Sequence, residues 1–174
     1  IRFGLGAVKG VGEAAVQAIV DERKKNGNYI AFDDFMKRVD LRSANKRTLE
    51  SVVCAGGFDS FKIKRSQYFA KEGSDLSYIE RMIKFGNKVK DNLDSNQIDM
   101  FGESEEASIQ APTPPEVEPW VTMELLSKEK EVVGIYLSGH PLDDYKVEID
   151  NFCNGHLGML YNMDAVKGKD LRFA

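Results

Sequence analysis

Residues 1–25 read IRFGLGAVKGVGEAAVQAIVDERKK, and the reading of this stretch decides the fold. Gly4, Gly6, Gly10 and Gly12 crowd its first half, and an amphipathic pattern begins directly after Gly12. Ala14, Ala15, Ala18 and Ile19 share one face of a helix, which Val16 and Val20 widen. Gly10-Val11-Gly12 is therefore predicted to form a tight hairpin feeding a helix N-terminus. Glycine tolerates positive φ and lets the backbone approach a ligand closely. The first amides of a helix have no partners within it, and the helix dipole adds positive potential there, so such an end suits a phosphate. Glycine before a helix also builds ordinary turns, and spacing alone leaves both readings open.

The string GLGAVKGVGEAAVQAI resembles the helix–hairpin–helix element, a small module that binds DNA backbone. In that family the hairpin amides hold phosphate oxygens without reading bases. The resemblance places the backbone contacts at Gly10, Val11 and Gly12, with Lys9 as the nearby cation. A second, weaker match follows. Asn45 is a candidate N-cap, Lys46 to Ala55 reads as a helix with Leu49, Val52 and Val53 inward, and Gly56-Gly57 ends it. Asp59 or Ser60 would cap a further helix through Arg65, Tyr68 and Phe69. The glycines of CAGGFDSF are adjacent rather than alternating, and Asp59 would repel phosphate. One such element is too small to bury a core alone, so the two are expected to pair. The first hairpin would bind DNA and the second would be mainly structural, with Lys62, Lys64 and Arg65 the charges able to reverse that assignment.

Length and charge set bounds. A chain of 174 residues holds one ordinary core or two small ones. Its net charge is −4, but residues 1–71 carry 14 Lys/Arg against 8 Asp/Glu, while residues 72–174 carry 10 against 20. Only the front part is suited to approach phosphate. No apolar run is long enough to span a membrane and no signal peptide is visible. Cys54 and Cys153 lack neighbours at zinc-ligand spacing apart from the lone His156, so no metal site is expected. The opening Ile in mid-pattern suggests a piece of a longer chain, and the closing KGKDLRFA reads as a strand just beginning.

Between these landmarks, Lys24-Lys25-Asn26-Gly27-Asn28 is a helix stop. Asp33 is a candidate cap for a helix that packs Phe32, Phe35, Met36 and Val39 inward. Residues 76–93 read as a packing helix with Tyr78, Ile79, Met82, Ile83, Phe85 and Val89 on its apolar face. From Asp91 to Pro119 the chain turns rich in Asp, Glu, Ser and Pro, the composition of a flexible acidic linker. Gln97-Ile98-Asp99-Met100-Phe101 is out of place in it, because large apolar residues there have no local core to join. QIDMF resembles the pentapeptide with which bacterial replication proteins bind the ring-shaped sliding clamp, and Gln97, Met100 and Phe101 match its defining places. From Thr122 to Leu137 the pattern is helical again, with Thr122 as cap and Ser138-Gly139-His140-Pro141 as stop. Leu142, Tyr145, Val147 and Ile149 continue into a short helix. His140 reads as a turn residue rather than a catalytic base.

The order of IRFGLGAVKGVGEAAVQAI, NKRTLESVVCAGGFDSF, QIDMFG and EPWVTMELLSKEKEVVGIYLSGHPLDDY resembles the region after the fingers in the family of bacterial DNA polymerase III alpha subunits, the C-family replicative polymerases. The segment EKEVVGIYLSGHPLDDY is its most specific part. The resemblance implies a mainly α fold: a tandem helix–hairpin–helix domain over 1–71, a packing helix over 72–92 and an acidic linker carrying the clamp-binding peptide over 93–119. C-terminal helices over 120–150 and the start of an oligonucleotide-binding β-barrel over 151–174 complete it. The partners it implies are duplex DNA, the sliding clamp (the beta subunit) and other replicase subunits, in the cytoplasm and with no membrane. No catalytic residue is expected here, since the palm with its aspartates and Mg2+ lies elsewhere in that family; this piece alone should be inactive and bind no cofactor. Two other readings stay open, a DNA-repair or recombination accessory protein and a purely architectural module.

Overall fold

The computed structural model describes residues 3–71, 73, 75–94 and 109–173. Among them every regular element is helical and no strand occurs. The chain divides into two units, residues 1–137 and 138–174.

In the first unit, extended backbone at Gly12 leads into α1 (Glu13–Asn26), which buries Ala15 and Ile19. Three basic residues occupy its last turn and Gly27, at φ +81°, ends it, the stop that the sequence announces. Helix α2 (Phe32–Arg38) buries Phe32, Phe35 and Met36. Its cap is Ala31 rather than Asp33, which lies inside the first turn and pairs with Lys37 at 3.1 Å. Helix α3 (Lys46–Cys54) is capped as expected, with the Thr48 N–H donating to Asn45 Oδ1 at 3.1 Å. A 3-10 turn (Asp59–Phe61) and α4 (Arg65–Phe69) follow, and α5 (Tyr78–Asp94) begins where the Ser77 N–H donates to Glu80 Oε2 at 2.9 Å. Lys46, 2.9 Å from the other Glu80 oxygen, is the main reason that this carboxyl is held down to about 2.

The core of this unit is aromatic. Phe32 meets Tyr68 edge-on at 4.9 Å, and Phe35 meets Phe58 at 5.0 Å. Contacts of this kind add about 0.5–1.5 kcal/mol each beyond the area they bury. Helix α5 packs close against α2 at Gly86, where an added Cβ would lie 2.6 Å from the Met36 carbonyl oxygen.

Three expectations are corrected in this stretch. The acidic linker does not run free to Pro119: Ile109 and Ala111 pack on the core, Pro115 is buried, and the Gln67 side-chain amide donates to the Pro115 carbonyl at 2.7 Å. Apolar residues and prolines, which are extended in advance, make this stretch a strap along the domain. Trp120 closes it, 5.3 Å from Phe69 and beneath the Lys128 ammonium at 4.6 Å. Helix α6 (Thr122–Val133) then starts from Val121, not from a Thr122 cap. It stops at Gly134, φ +87°, short of Leu137 and ahead of the Ser138–Pro141 stop, because the glycine takes the left-handed cap first. The first unit thus absorbs the expected 1–71 and 72–92 segments together with residues 109–137.

The second unit holds a 3-10 turn (Asp143–Tyr145), α7 (Lys146–Phe152), a second 3-10 turn (Leu157–Tyr161) and α8 (Met163–Val166). The strand expected at its end is not formed among the described residues. Asn154 brackets residue 172 instead: its N–H donates to the Arg172 carbonyl at 3.1 Å, and its Oδ1 accepts from the Arg172 N–H at 2.8 Å. The Asn154 side chain thereby supplies the acceptor that a partner strand's backbone would offer.

Candidate nucleic-acid interface

The first hairpin is entered from a single 3-10 turn (Leu5–Ala7), shorter than the leading helix that its resemblance implies. Gly10 sits at φ +88°, a conformation that L side chains rarely adopt. The Val11 N–H donates to the Val8 carbonyl at 3.1 Å and closes the turn, and the Val11 side chain is buried. Of the three expected amide donors, that of Val11 is thus engaged within the hairpin. The amides of Gly10, Gly12, Glu13 and Ala14 have no partner among the described residues, whereas those of Ala15 and Val16 already donate to the Gly12 carbonyl at 3.1 Å. The free amides surround the positive end of α1.

Helix α3 forms the seat of this hairpin. Thr48 Oγ1 donates to the Gly10 carbonyl at 3.3 Å. The space of the missing Gly10 Cβ is bounded by Ser51 Oγ at 2.8 Å and Arg47 Nε at 3.8 Å. Arg47 and Lys9 are both exposed, and neither has a carboxylate partner among the described residues. Glu13, also exposed, is the one acid in the first turn of α1. The Lys9 N–H points the other way and donates to the Val132 carbonyl at the end of α6, at 2.7 Å.

The second hairpin is built differently. Gly56 (φ +78°) and Gly57 turn the chain, and Arg65 returns to grip Asp59 with two bonds, Nε to Oδ1 at 2.9 Å and Nη2 to Oδ2 at 2.6 Å. Its Nη1 reaches the Glu129 carboxylate at 2.8 Å and the Cys54 carbonyl at 3.2 Å. These bonds, that to Asp59 foremost, raise the Arg65 pKa further above the usual guanidinium range. The guanidinium is turned inward, which removes one of the three cations in question; Lys62 and Lys64 stay exposed.

No group of three or more His, Cys, Asp or Glu among the described residues is placed to hold a metal ion. A cavity of about 370 Å³ beside Tyr29, Phe35 and Phe61 has no His, Lys or carboxylate in its walls. His140 Nδ1 accepts from the Leu142 N–H at 3.2 Å, which makes it a turn residue. Burial pushes the Cys54 thiol up, away from thiolate reactivity. No described helix is long and apolar enough to cross a membrane. Gln97, Met100 and Phe101 lie outside the described residues.

Sequence reasoning missed Arg47, Ser51 and Glu129. Arg47 and Ser51 lie far from the hairpin in sequence and reach it only because α3 packs there. Glu129 has the outward signs of a solvated helix charge, yet it is fully buried.

Comparison with known proteins agrees with the geometry. Residues 1–68 match a family model described as a helix–hairpin–helix motif. The chain is 36% identical over 176 residues to the DNA polymerase III subunit alpha of Borreliella burgdorferi, an alignment covering 100% of this chain and 15% of that protein. The subunit alpha of Campylobacter jejuni is 38% identical over 151 residues, 86% of this chain and 12% of the relative. That of Escherichia coli is 32% identical over 162 residues, 89% and 13% respectively. The chain therefore spans about a seventh of the length of the relatives it matches.

Proposed function

We propose, on the premise that this chain belongs by homology over its whole length to the family of bacterial DNA polymerase III alpha subunits, that it is the part of such a polymerase that grips duplex DNA and tethers the enzyme to its sliding clamp. The observation that carries the DNA reading is the set of amides at Gly10, Gly12, Glu13 and Ala14, which have no partner among the described residues and follow the positive-φ turn at Gly10. A phosphate oxygen beside these amides would accept hydrogen bonds from the backbone, with Lys9 and Arg47 as flanking cations. Val11 serves by burying its side chain and so fixing the turn. Such contacts position the protein on duplex without reading bases.

The clamp reading rests on the QIDMF resemblance, with Gln97, Met100 and Phe101 as the anchors. Two weak attachments to one clamp–DNA assembly raise the effective concentration of each for the other. DNA-directed DNA synthesis by the parent chain, the Mg2+ of its palm, its cytoplasmic location and its other replicase partners belong to the same proposal. This piece contributes attachment and is inactive as a polymerase by itself. The relatives are polymerase subunits, which disfavours the repair-protein alternative. Glu13, whose charge opposes a phosphate at the start of α1, is what favours the architectural one.

Two titrations test the proposal. Labelled duplexes of two unrelated sequences should bind the chain alike by fluorescence anisotropy, with log K falling by about 0.9 per phosphate contacted for each decade of salt. Absence of duplex binding at low salt would leave the hairpins architectural. The sliding clamp should bind wild-type chain and not the Gln97→Ala, Met100→Ala, Phe101→Ala variant; equal binding by both would move that contact elsewhere.

A further inference from the structure

The EKEVVG segment, which the sequence singles out and the DNA grip does not use, holds the most deeply buried carboxylate described. Glu129 is 0% exposed. Its two oxygens serve different parts of the chain. Oε1 accepts from Arg65 Nη1 at 2.8 Å, and Arg65 in turn holds Asp59 and the Cys54 carbonyl of the second hairpin. Oε2 accepts from the Leu137 N–H at 2.7 Å and so fixes the chain where it leaves the first unit. One helical step further along α6, the Val132 carbonyl accepts the Lys9 N–H of the first hairpin.

Stability alone does not account for an ion pair here. Taking two charges out of water costs several kcal/mol per ion, and apolar residues of like volume hold a core as well or better. A carboxylate offers direction instead. Its bonds fix both the rotation and the axial position of α6, and the Val132–Lys9 bond tolerates little change in either. We infer that Glu129 is a positioning residue: through α6 it holds the second hairpin, the first hairpin and the exit at Leu137 in one frame. The bonds carry this link by themselves; its consequence for DNA affinity rests on the proposed DNA grip.

The test uses amide hydrogen exchange on the whole chain. The Lys9 and Leu137 amides report on the frame, and the Leu49 and Met82 amides, in α3 and α5, report on the core. Glu129→Gln is close to isosteric and should speed exchange at Lys9 and Leu137 by about tenfold or more relative to the two core amides. The Arg65→Met, Glu129→Leu double variant removes both charges. It should show the same loss of protection at Lys9 relative to the two core amides, with weakened duplex binding. Exchange at Lys9 that is unchanged, or that rises only in step with Leu49 and Met82, would overturn the inference and leave Glu129 a core residue like its neighbours. Should the wild-type chain fail to bind duplex, the DNA grip falls, while the Lys9 exchange still decides this link.

Discussion

Gly12→Asp should move stability and DNA affinity in opposite directions. Gly12 lies at φ −78° and ψ 155°, a region open to any residue, and no heavy atom lies within 4 Å of the position its Cβ would take. It is the cap of α1 and offers no side-chain bond, while the Ala14 amide has no partner among the described residues. An aspartate carboxylate at this cap accepts that amide, which gains a few tenths of a kcal/mol over glycine, about. Its charge at the positive helix end adds roughly 0.3–1 kcal/mol, reduced by neighbouring Glu13. The net gain of about 0.5–1 kcal/mol raises the melting temperature by roughly 1–4 °C for a chain of this size. The same carboxylate occupies an amide meant for phosphate and repels the anion. Loss of one hydrogen bond to a charged group, about 1.5–3 kcal/mol, weakens duplex binding roughly 10- to 100-fold. Calorimetry and fluorescence anisotropy at fixed salt read the two effects. A variant that binds duplex as tightly as wild type would refute the amide site, and one that is destabilised would refute the open cap. Gly10→Ala is a poorer probe: its φ of +88° and a Cβ 2.8 Å from Ser51 Oγ cost about 1–3 kcal/mol of stability before any DNA is added.

Arg47→Met should leave stability within about 0.5 kcal/mol, since the side chain is exposed and pairs with no described carboxylate. It should weaken binding equally for all duplex sequences and lower the salt slope by about 1 in anisotropy titrations. Gly86→Ala should destabilise by about 1–3 kcal/mol in urea, because the obstacle at 2.6 Å is the Met36 backbone and outweighs the better helix propensity of alanine. In alkali, burial pushes Tyr78 up to about 12 and Tyr68 higher still. Both folded hydroxyls keep their protons while unfolded tyrosines lose theirs near 10, so stability is level below pH ~10 and falls from there through 12. Urea midpoints across that range check the direction, and ultraviolet titration of the folded chain should show late ionisation of the two buried rings.

The helices were legible wherever periodicity and caps agreed. Asn45 before LeuxxValVal, and the basic turn before Gly27, located α3 and the end of α1 to within a residue. The end of α6 was misplaced because Val132, Val133, Tyr136 and Leu137 keep a helical period past Gly134, and a period does not reveal which glycine takes the left-handed cap. Residues 109–119 looked solvated by composition, yet composition does not show that Ile109, Ala111 and Pro115 find a surface shaped to receive them. At the candidate site, glycine spacing disclosed the hairpin. It could not separate the engaged amide of Val11 from the free ones beside it, since that depends on the Val8 carbonyl closing the turn. Arg47 was invisible for another reason: its place beside Gly10 is set by the packing of α3, a contact between distant parts of the chain.

The chain contains one tryptophan, and its position gives the molecule a built-in optical gauge. Trp120 is half-buried between Phe69 of α4 and the Lys128 ammonium of α6, where the strap over residues 109–121 meets both helices. All emission on selective excitation therefore arises from this one junction, with no second indole to dilute it. Loosening of α6 from α4 would wet the ring and shift its emission to the red while the aromatic core stays intact. Detachment of the strap would thus appear as a spectral change ahead of global melting, in unlabelled protein.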